Sequence, residues 1–349
     1  GESTAQVHGI LDVLRPVSTS VVYRSTLDCT QGAIGQLWQQ LGAGTSKLGM
    51  PTTCEISYAA GSDKYGDGYP AGVYQNFEHG RIYWDSAHRA RAVYGAMANK
   101  WASLGRLKGL GIPLQSEKDG LKRGGAAQVF QGGQIHWSSA SQAHVTKGAI
   151  QSYWASQGWE NGWLGYPTSD EISVKGGVYQ TFQGGTVWWS GKTRTHAVRG
   201  GILAKYSKLG SQASVLGFPV KDEKDGLKRG GAAQVFQGGQ IHWSSASQAH
   251  VTKGAIQSYW ASQGWENGWL GYPTSDEISV KGGVYQTFQG GTVWWSSRTG
   301  VHGVRGGILA RYARQGYQKG RLGFPAGEER TTSFGAEQRF QKGTIRWYR

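Results

Sequence analysis

The residues of this sequence that could do chemistry recur in sets instead of standing alone. A glutamate lies four residues after each proline of a recurring Leu-Gly-x-Pro string: Glu55, Glu117, Glu171, Glu223, Glu277 and Glu329. A histidine lies four residues before a helix-opening glycine at His144, His196, His250 and His302, with Asp28 and Arg91 in the matching places of the first two units. A carboxylate and an imidazole at fixed spacing could form an acid–base pair or hold a metal. A group repeated in every copy is better read as a capping or loop-pinning hydrogen bond. No Gly-x-Ser-x-Gly, His-Glu-x-x-His or GxxxxGK[ST] string occurs, so no nucleophile elbow, zinc pair or phosphate cradle is expected. The expectation is a chain with no catalytic residue, no metal site and no cofactor.

Aromatic pairs are the better candidates. Each copy carries Gln-x-Phe, a glycine three after the Phe, Ile or Val two later, and Trp two beyond that, as in Gln180, Phe182, Gly185, Val187 and Trp189. This spacing predicts a hairpin in which a type I turn and a left-handed glycine pair Phe182 with Gly185. Thr181 then faces Thr186, Gln180 faces Val187 and Tyr179 faces Trp188. Alternation puts Gln180, Phe182, Val187 and Trp189 on one face, read as core. The opposite face pairs Tyr74 with Tyr83, Tyr179 with Trp188, Tyr285 with Trp294, Ala127 with His136, Ala233 with His242, and Glu337 with Arg346. Tyr74, Tyr83, Tyr179, Trp188, Tyr285, Trp294, His136 and His242 are therefore the candidate ligand-binding residues, since flat rings stack on sugar faces. The competing expectation is that these rings pack against the next unit's helix.

The elements that must position these groups follow from the repeat. Leu-Gly-x-Pro stands at Leu48–Pro51, Leu110–Pro113, Leu164–Pro167, Leu216–Pro219, Leu270–Pro273 and Leu322–Pro325, and residues 117–190 recur unchanged as 223–296. Ahead of each string an apolar residue and an aromatic four later (Ile34/Trp38, Met97/Trp101, Ile150/Trp154, Ile202/Tyr206, Ile256/Trp260, Ile308/Tyr312) predict a short helix ended by glycine, as at Gly158. The fold class expected is an α+β repeat of six helix–turn–β-hairpin units, at about 30–86, 87–139, 140–191, 192–245, 246–297 and 298–349. Such units must borrow core from their neighbours. A closed propeller-like ring is preferred, with an open solenoid as the alternative. Residues 1–29 stand apart as an N-terminal segment. In it VSTSVVYRSTL reads as a strand that could close the ring.

Composition narrows the setting. Fifty-seven glycines favour tight turns over long helices, and 37 Lys and Arg against 22 Asp and Glu leave a net charge of +15, which suits anionic partners. The charge is diffuse, so nucleic acid is not the expected partner. No apolar run is long enough to span a membrane, and GESTAQVHG is not a signal peptide, which suggests a mature or excised fragment. Cys29 and Cys54, both in the first unit, read best as one disulfide in an oxidising compartment, with two free thiols as the alternative. The first unit also carries the insertion GSDKYGDGYPAG, whose Asp63 and Asp67 are too few for a calcium cage and imply a solvated loop.

The strings LGYPTSDE, GWENG, FQGG-T-V-WW and HAVRGGI or HGVRGGI, with LGFP itself at Leu216–Pro219 and Leu322–Pro325, resemble the LGFP repeat. The likeness covers about residues 30–349 and extends to wall-associated actinobacterial proteins, including the carboxy-terminal region of a corynebacterial mycoloyltransferase. It implies a secreted, wall-associated monomer that binds cell-wall polysaccharide or peptidoglycan, with catalysis, where present, in another domain or protein. The first unit departs from the pattern in its cysteines, its insertion and its missing histidine.

Overall fold

The computed structural model describes residues 26–348, which divide into two compact parts, up to Lys147 and from Gly148 onward. In the second part the pattern is plainest. Helices Gly148–Ser156, Gly200–Lys208, Gly254–Ser262 and Gly306–Arg314 each precede an antiparallel sheet. The first of these sheets has the linear order Ile172–Val174, Gly177–Phe182, Gly185–Ser190, Arg194–Val198, and the last has three strands, ending at Gly343–Tyr348. The first part holds helices Gly32–Gln40 and Gly95–Ser103 and two four-stranded sheets of the same plan. The expected hairpin is thus only the middle of each sheet. The strand after it carries the histidine: Gln142–Thr146 pairs with Gly133–Ser138. Unit boundaries drawn at 139/140 therefore cut that strand from the sheet it belongs to. Of the proposed N-terminal strand, residues 17–25 lie outside the described residues, and Thr26 and Leu27 are helical.

The hairpin register is as expected: Phe182 pairs with Gly185, Thr181 with Thr186, Gln180 with Val187 and Tyr179 with Trp188. Tyr74/Tyr83, Ala127/His136, Ala233/His242, Tyr285/Trp294 and Glu337/Arg346 pair likewise. The turn differs. Gly185 is not left-handed. Glycine is needed there because a Cβ would lie 2.7 Å from the Val198 carbonyl oxygen.

Each helix is fixed to its turn by one hydrogen bond. The buried aromatic of the helix donates to the carbonyl of the Leu-Gly-x-Pro glycine: Trp38 to Gly49 (3.0 Å), Trp101 to Gly111 (3.1 Å), Trp154 to Gly165 (2.9 Å), Tyr206 to Gly217 (2.7 Å), Trp260 to Gly271 (3.0 Å) and Tyr312 to Gly323 (2.8 Å). Only rings with an N–H or O–H can both fill the core and satisfy that carbonyl, which is why the position alternates between Trp and Tyr and is never Phe. The glycine itself is left-handed, φ +66° at Gly165. The Gln183 side-chain oxygen accepts from the next amide, Tyr166 N, at 3.1 Å.

A second stitch joins successive units. The Gln-x-Phe glutamine is buried and donates twice: Gln234 to the Ala197 and Lys221 carbonyls at 2.7 and 2.9 Å, Gln286 to Val251 and Ser275, and Gln338 to Gly303 and Gly327. One bond reaches the last strand of the preceding sheet and the other holds the loop after the proline. A helix that follows a sheet within the same part then lies between two sheets. Ile202 and Tyr206 pack against Trp188 and Val198 behind them and against Phe236 and Ile241 of their own sheet.

The first helix is bracketed by a Cys29–Cys54 disulfide, Cα–Cα 5.5 Å. Among the described residues no helix is long and apolar enough to cross a membrane.

Replacing Tyr312 with Phe keeps the ring and strands the Gly323 carbonyl. Urea unfolding should show a loss of about 1–3 kcal/mol; a variant as stable as the parent would mean that the bond is ornamental.

Candidate functional site

Most of the eight ring residues expected to bind ligand are buried. Tyr83, Trp188, Trp294, His136 and His242 are buried, with Trp188 4% and Trp294 2% exposed, and Tyr74, Tyr179 and Tyr285 are half-buried. Tyr179 stacks on Trp188 at 4.5 Å, and Trp188 meets the next helix's Tyr206 edge-on at 5.5 Å and Phe218 at 6.1 Å. Tyr285 and Trp294 repeat this with Tyr312 and Phe324, while Tyr83 meets Trp101 at 5.0 Å. The reason is that both faces of the sheets that carry Tyr83, Trp188, His242 and Trp294 are covered, one by the helix before and one by the helix after. The pair also decides the third residue of the following motif. Behind Trp188 and Trp294 the string is LGFP and Phe packs on the indole. Behind Ala233/His242 it is LGYP, and Tyr272 donates its hydroxyl to the Lys228 carbonyl at 2.8 Å. There His242 lies between Trp260 and Trp265, at 4.5 and 5.8 Å.

The repeated acids and histidines act as pins. Glu223 pairs with Arg199 at 2.9 Å, Glu329 with Arg305 at 3.1 Å, and Glu277 with Lys253. The neighbouring acid ties back to the preceding strand: Asp222 accepts from Ala197 N at 3.0 Å and lies 3.2 Å from His196 Nδ1. His302 donates from Nε2 to the Thr299 carbonyl at 2.9 Å, and Glu328, 2.8 Å from its Nδ1, raises its pKa above the ordinary histidine value.

A groove is found where the sequence placed core. The hairpin tryptophan that recurs in every copy, Trp243 here, is only half-buried. Its ring lies flat over the helix start, where a Cβ on Gly201 would come within 2.5 Å of it. Opposite stands Trp163, 37% exposed, with the Arg199 guanidinium 5.0 Å over its ring. Between them Arg199 bonds Glu223 and Asp225. The cavity so enclosed measures about 560 Å³. Burial raises the Glu223 pKa against the pull of Arg199.

The LGFP repeat family model matches residues 48–109, 110–162, 164–214, 216–268 and 270–320. The chain belongs to the LGFP repeat family. A search of curated proteins finds no match, and the likeness to a mycoloyltransferase remains an expectation of the sequence. Among solved structures, the extracellular domain of a hybrid two-component system protein from B. thetaiotaomicron aligns at 10% identity over 82% of this chain and 40% of that one, with a TM-score of 0.14. This chain thus spans less than half of that protein, and a likeness so slight carries no argument about the fold.

The groove recurs among the LGFP units. In the first part a cavity of about 380 Å³ is lined at the same positions by Lys47, Tyr94, Glu117, Asp119 and Trp137. There burial and Asp119 push Glu117 up to about 8. Burial also acts to raise Asp119, but bonds from Lys47 and Glu117 outweigh it and hold the group below the usual carboxylate range. In the last unit Arg305 lies 4.9 Å over Trp269 and pairs with Glu329, and a Cβ on Gly307 would come within 2.2 Å of Trp347. Trp163 and Trp269 were missed as candidates. The signal was present: tryptophan precedes the Leu-Gly string in the units just before Arg199 and Arg305, and nowhere else.

The first-unit insertion is largely solvated, as expected, but it is ordered by two buried residues, Asp63 and Tyr69. It forms a small ribbon, Gly61–Ser62 with Gly68–Tyr69, and Gln131 donates to the Gly68 carbonyl. Asp63 is buried because its Oδ1 accepts from Tyr65 N (2.8 Å) and Asp67 N (3.0 Å).

Burial pushes the His242 pKa down to about 3, whereas in the unfolded chain it is about 6.5. The folded state therefore binds fewer protons, and the stability this provides is full above about 6.5 and lost as pH falls toward 3. Thermal melts of His242→Phe should show a smaller drop in Tm between neutral and acid pH than the parent. Parallel pH profiles would contradict this assignment.

Proposed function

We propose that this LGFP chain is a secreted, non-catalytic module that holds on to bacterial cell-wall glycan through its repeated grooves. The observation that supports this reading is the Trp163–Arg199–Trp243 groove. Two indoles offer apolar faces for a sugar ring, and Glu223, Asp225 and Arg199 supply acceptors and donors for its hydroxyls. Its volume of about 560 Å³ suits one or two sugar units. One arginine against two carboxylates makes the groove locally acidic on a chain of net charge +15. The groove therefore favours neutral, hydroxyl-rich arabinogalactan or peptidoglycan sugars, while the surrounding basic surface attracts wall anions in a salt-dependent way. Several weak grooves on one scaffold would add by avidity.

A second reading, a scaffold that docks another protein or domain, is favoured by one observation: in the stacked Tyr179/Trp188 and Tyr285/Trp294 pairs the indoles are buried between units. Hydrolysis of wall glycan is the weakest alternative. Turnover of labelled wall by the pure chain is the measurement that would revive it.

On isolated actinobacterial walls at high salt, Trp163→Ala and Trp243→Ala should each weaken co-sedimentation several-fold. Trp188→Ala should act mainly by lowering Tm. Binding unchanged in the two groove variants would favour the docking reading. Closure of six such units into a ring belongs to the same proposal, and small-angle scattering of the pure chain should then give a compact particle. A rod-like profile would favour the solenoid.

A further inference from the structure

A different cavity lies in the first part, between the hairpin turn after Phe77 and helix Gly95–Ser103. It measures about 630 Å³, and its polar walls include Asn76, Glu78, His79, Arg81, Asn99 and Arg106, with the Glu78 carboxylate accepting from Met50 N at 2.9 Å. Phe77, Val93 and Trp101 supply an apolar floor. Among the described residues neither guanidinium is ion-paired with a carboxylate. Arg81 is held in place all the same. It lies 4.8 Å over the Tyr74 ring and donates to the Tyr83 hydroxyl at 3.2 Å.

Both arginines are departures from the repeat. Arg106 stands five residues after the helix aromatic Trp101, in the left-handed conformation (φ +52°). Trp265 and Tyr317 hold the same place and conformation (φ +54° and +52°) after Trp260 and Tyr312. There a ring fills the space against the neighbouring sheet: Trp265 packs on Trp260 and His242, and Tyr317 on Trp294. In the first part a flexible cation replaces that ring, and Tyr83 replaces the larger indole, so the space stays open. Arg81 likewise occupies the place of Thr186 and Thr292, opposite the second residue of Gln-x-Phe. Two guanidiniums against one carboxylate, Glu78, which is engaged with the Met50 amide, favour an anion, because each presents a fork of donors matched to phosphate or carboxylate oxygens.

We propose that this cavity binds an anionic saccharide, with its phosphate or carboxylate group between Arg81 and Arg106 and its hydroxyls toward Asn99 and His79. This site does not depend on the indole grooves and takes the opposite charge class. The test is calorimetric titration of the whole chain at constant ionic strength with glucose 1-phosphate, glucuronate and glucose. One or both charged sugars should bind and glucose should not, and which of the two binds identifies the anion as phosphate or carboxylate. Arg106→Trp and Arg81→Thr install residues that the equivalent positions already carry, so the fold should tolerate them, and melting curves check this. Each should weaken binding roughly tenfold or more, while the exposed-loop variant Arg123→Ser leaves it unchanged. Binding of glucose as tight as of the charged sugars, no binding of either charged sugar, or equal affinity in the folded arginine variants would overturn the proposal.

Discussion

The bond from a helix aromatic to the carbonyl of a left-handed glycine is the constraint on which the other elements depend. That carbonyl is turned inward by the Leu-Gly-x-Pro turn, where water cannot reach it, so it must be satisfied from within. An indole or phenol on the last turn of the helix reaches it, as Trp154 does to Gly165 and Tyr312 to Gly323. Helix and turn become one rigid piece. Proline then bridges to the hairpin phenylalanine, Pro167 to Phe182, and the sheet is placed against the helix that precedes it.

From that piece the rest follows by stacking. A short helix and a four-stranded sheet cannot bury both faces of the sheet alone, so within each part a sheet takes the next helix on its far side. The glutamine stitch and the acid–base pins at His196, Asp222, Arg199 and Glu223 are polar because they lie where backbone carbonyls and amides of one unit meet the loop of the next. The alternation of LGFP with LGYP is a packing consequence of the same contact. A large indole behind the motif takes Phe, and a small Ala/His pair leaves room for a hydroxyl to cross to the neighbouring chain.

Function is confined to what stacking leaves uncovered. The outer end of each hairpin carries a tryptophan whose ring is only partly covered, and the loop before the Leu-Gly string of the preceding unit supplies its opposite wall in alternate units. Where the first two units break the pattern, with Arg81 and Arg106 in place of Thr and a ring, a second kind of cavity opens. Identical packing therefore permits chemically different surfaces, since the pins and stitches use other residues.

The sequence by itself determined the period, the helix, the hairpin register and the cysteine pair, because each rests on spacing within one unit and on local geometry. Tyr179 opposite Trp188 could be read from counting alone. What it could not determine was which face of that hairpin meets solvent. Strand alternation separates two faces but does not say what covers either one, and here both are covered by helices remote in the chain. Tertiary stacking kept Gln180, Phe182 and Val187 in the core as the fixed positions suggested, but it also buried Trp188 on the variable face and left Trp243 at a groove. The outer strands of each sheet were illegible for a related reason: short segments such as Arg194–Val198 are strands only because a neighbour offers its edge.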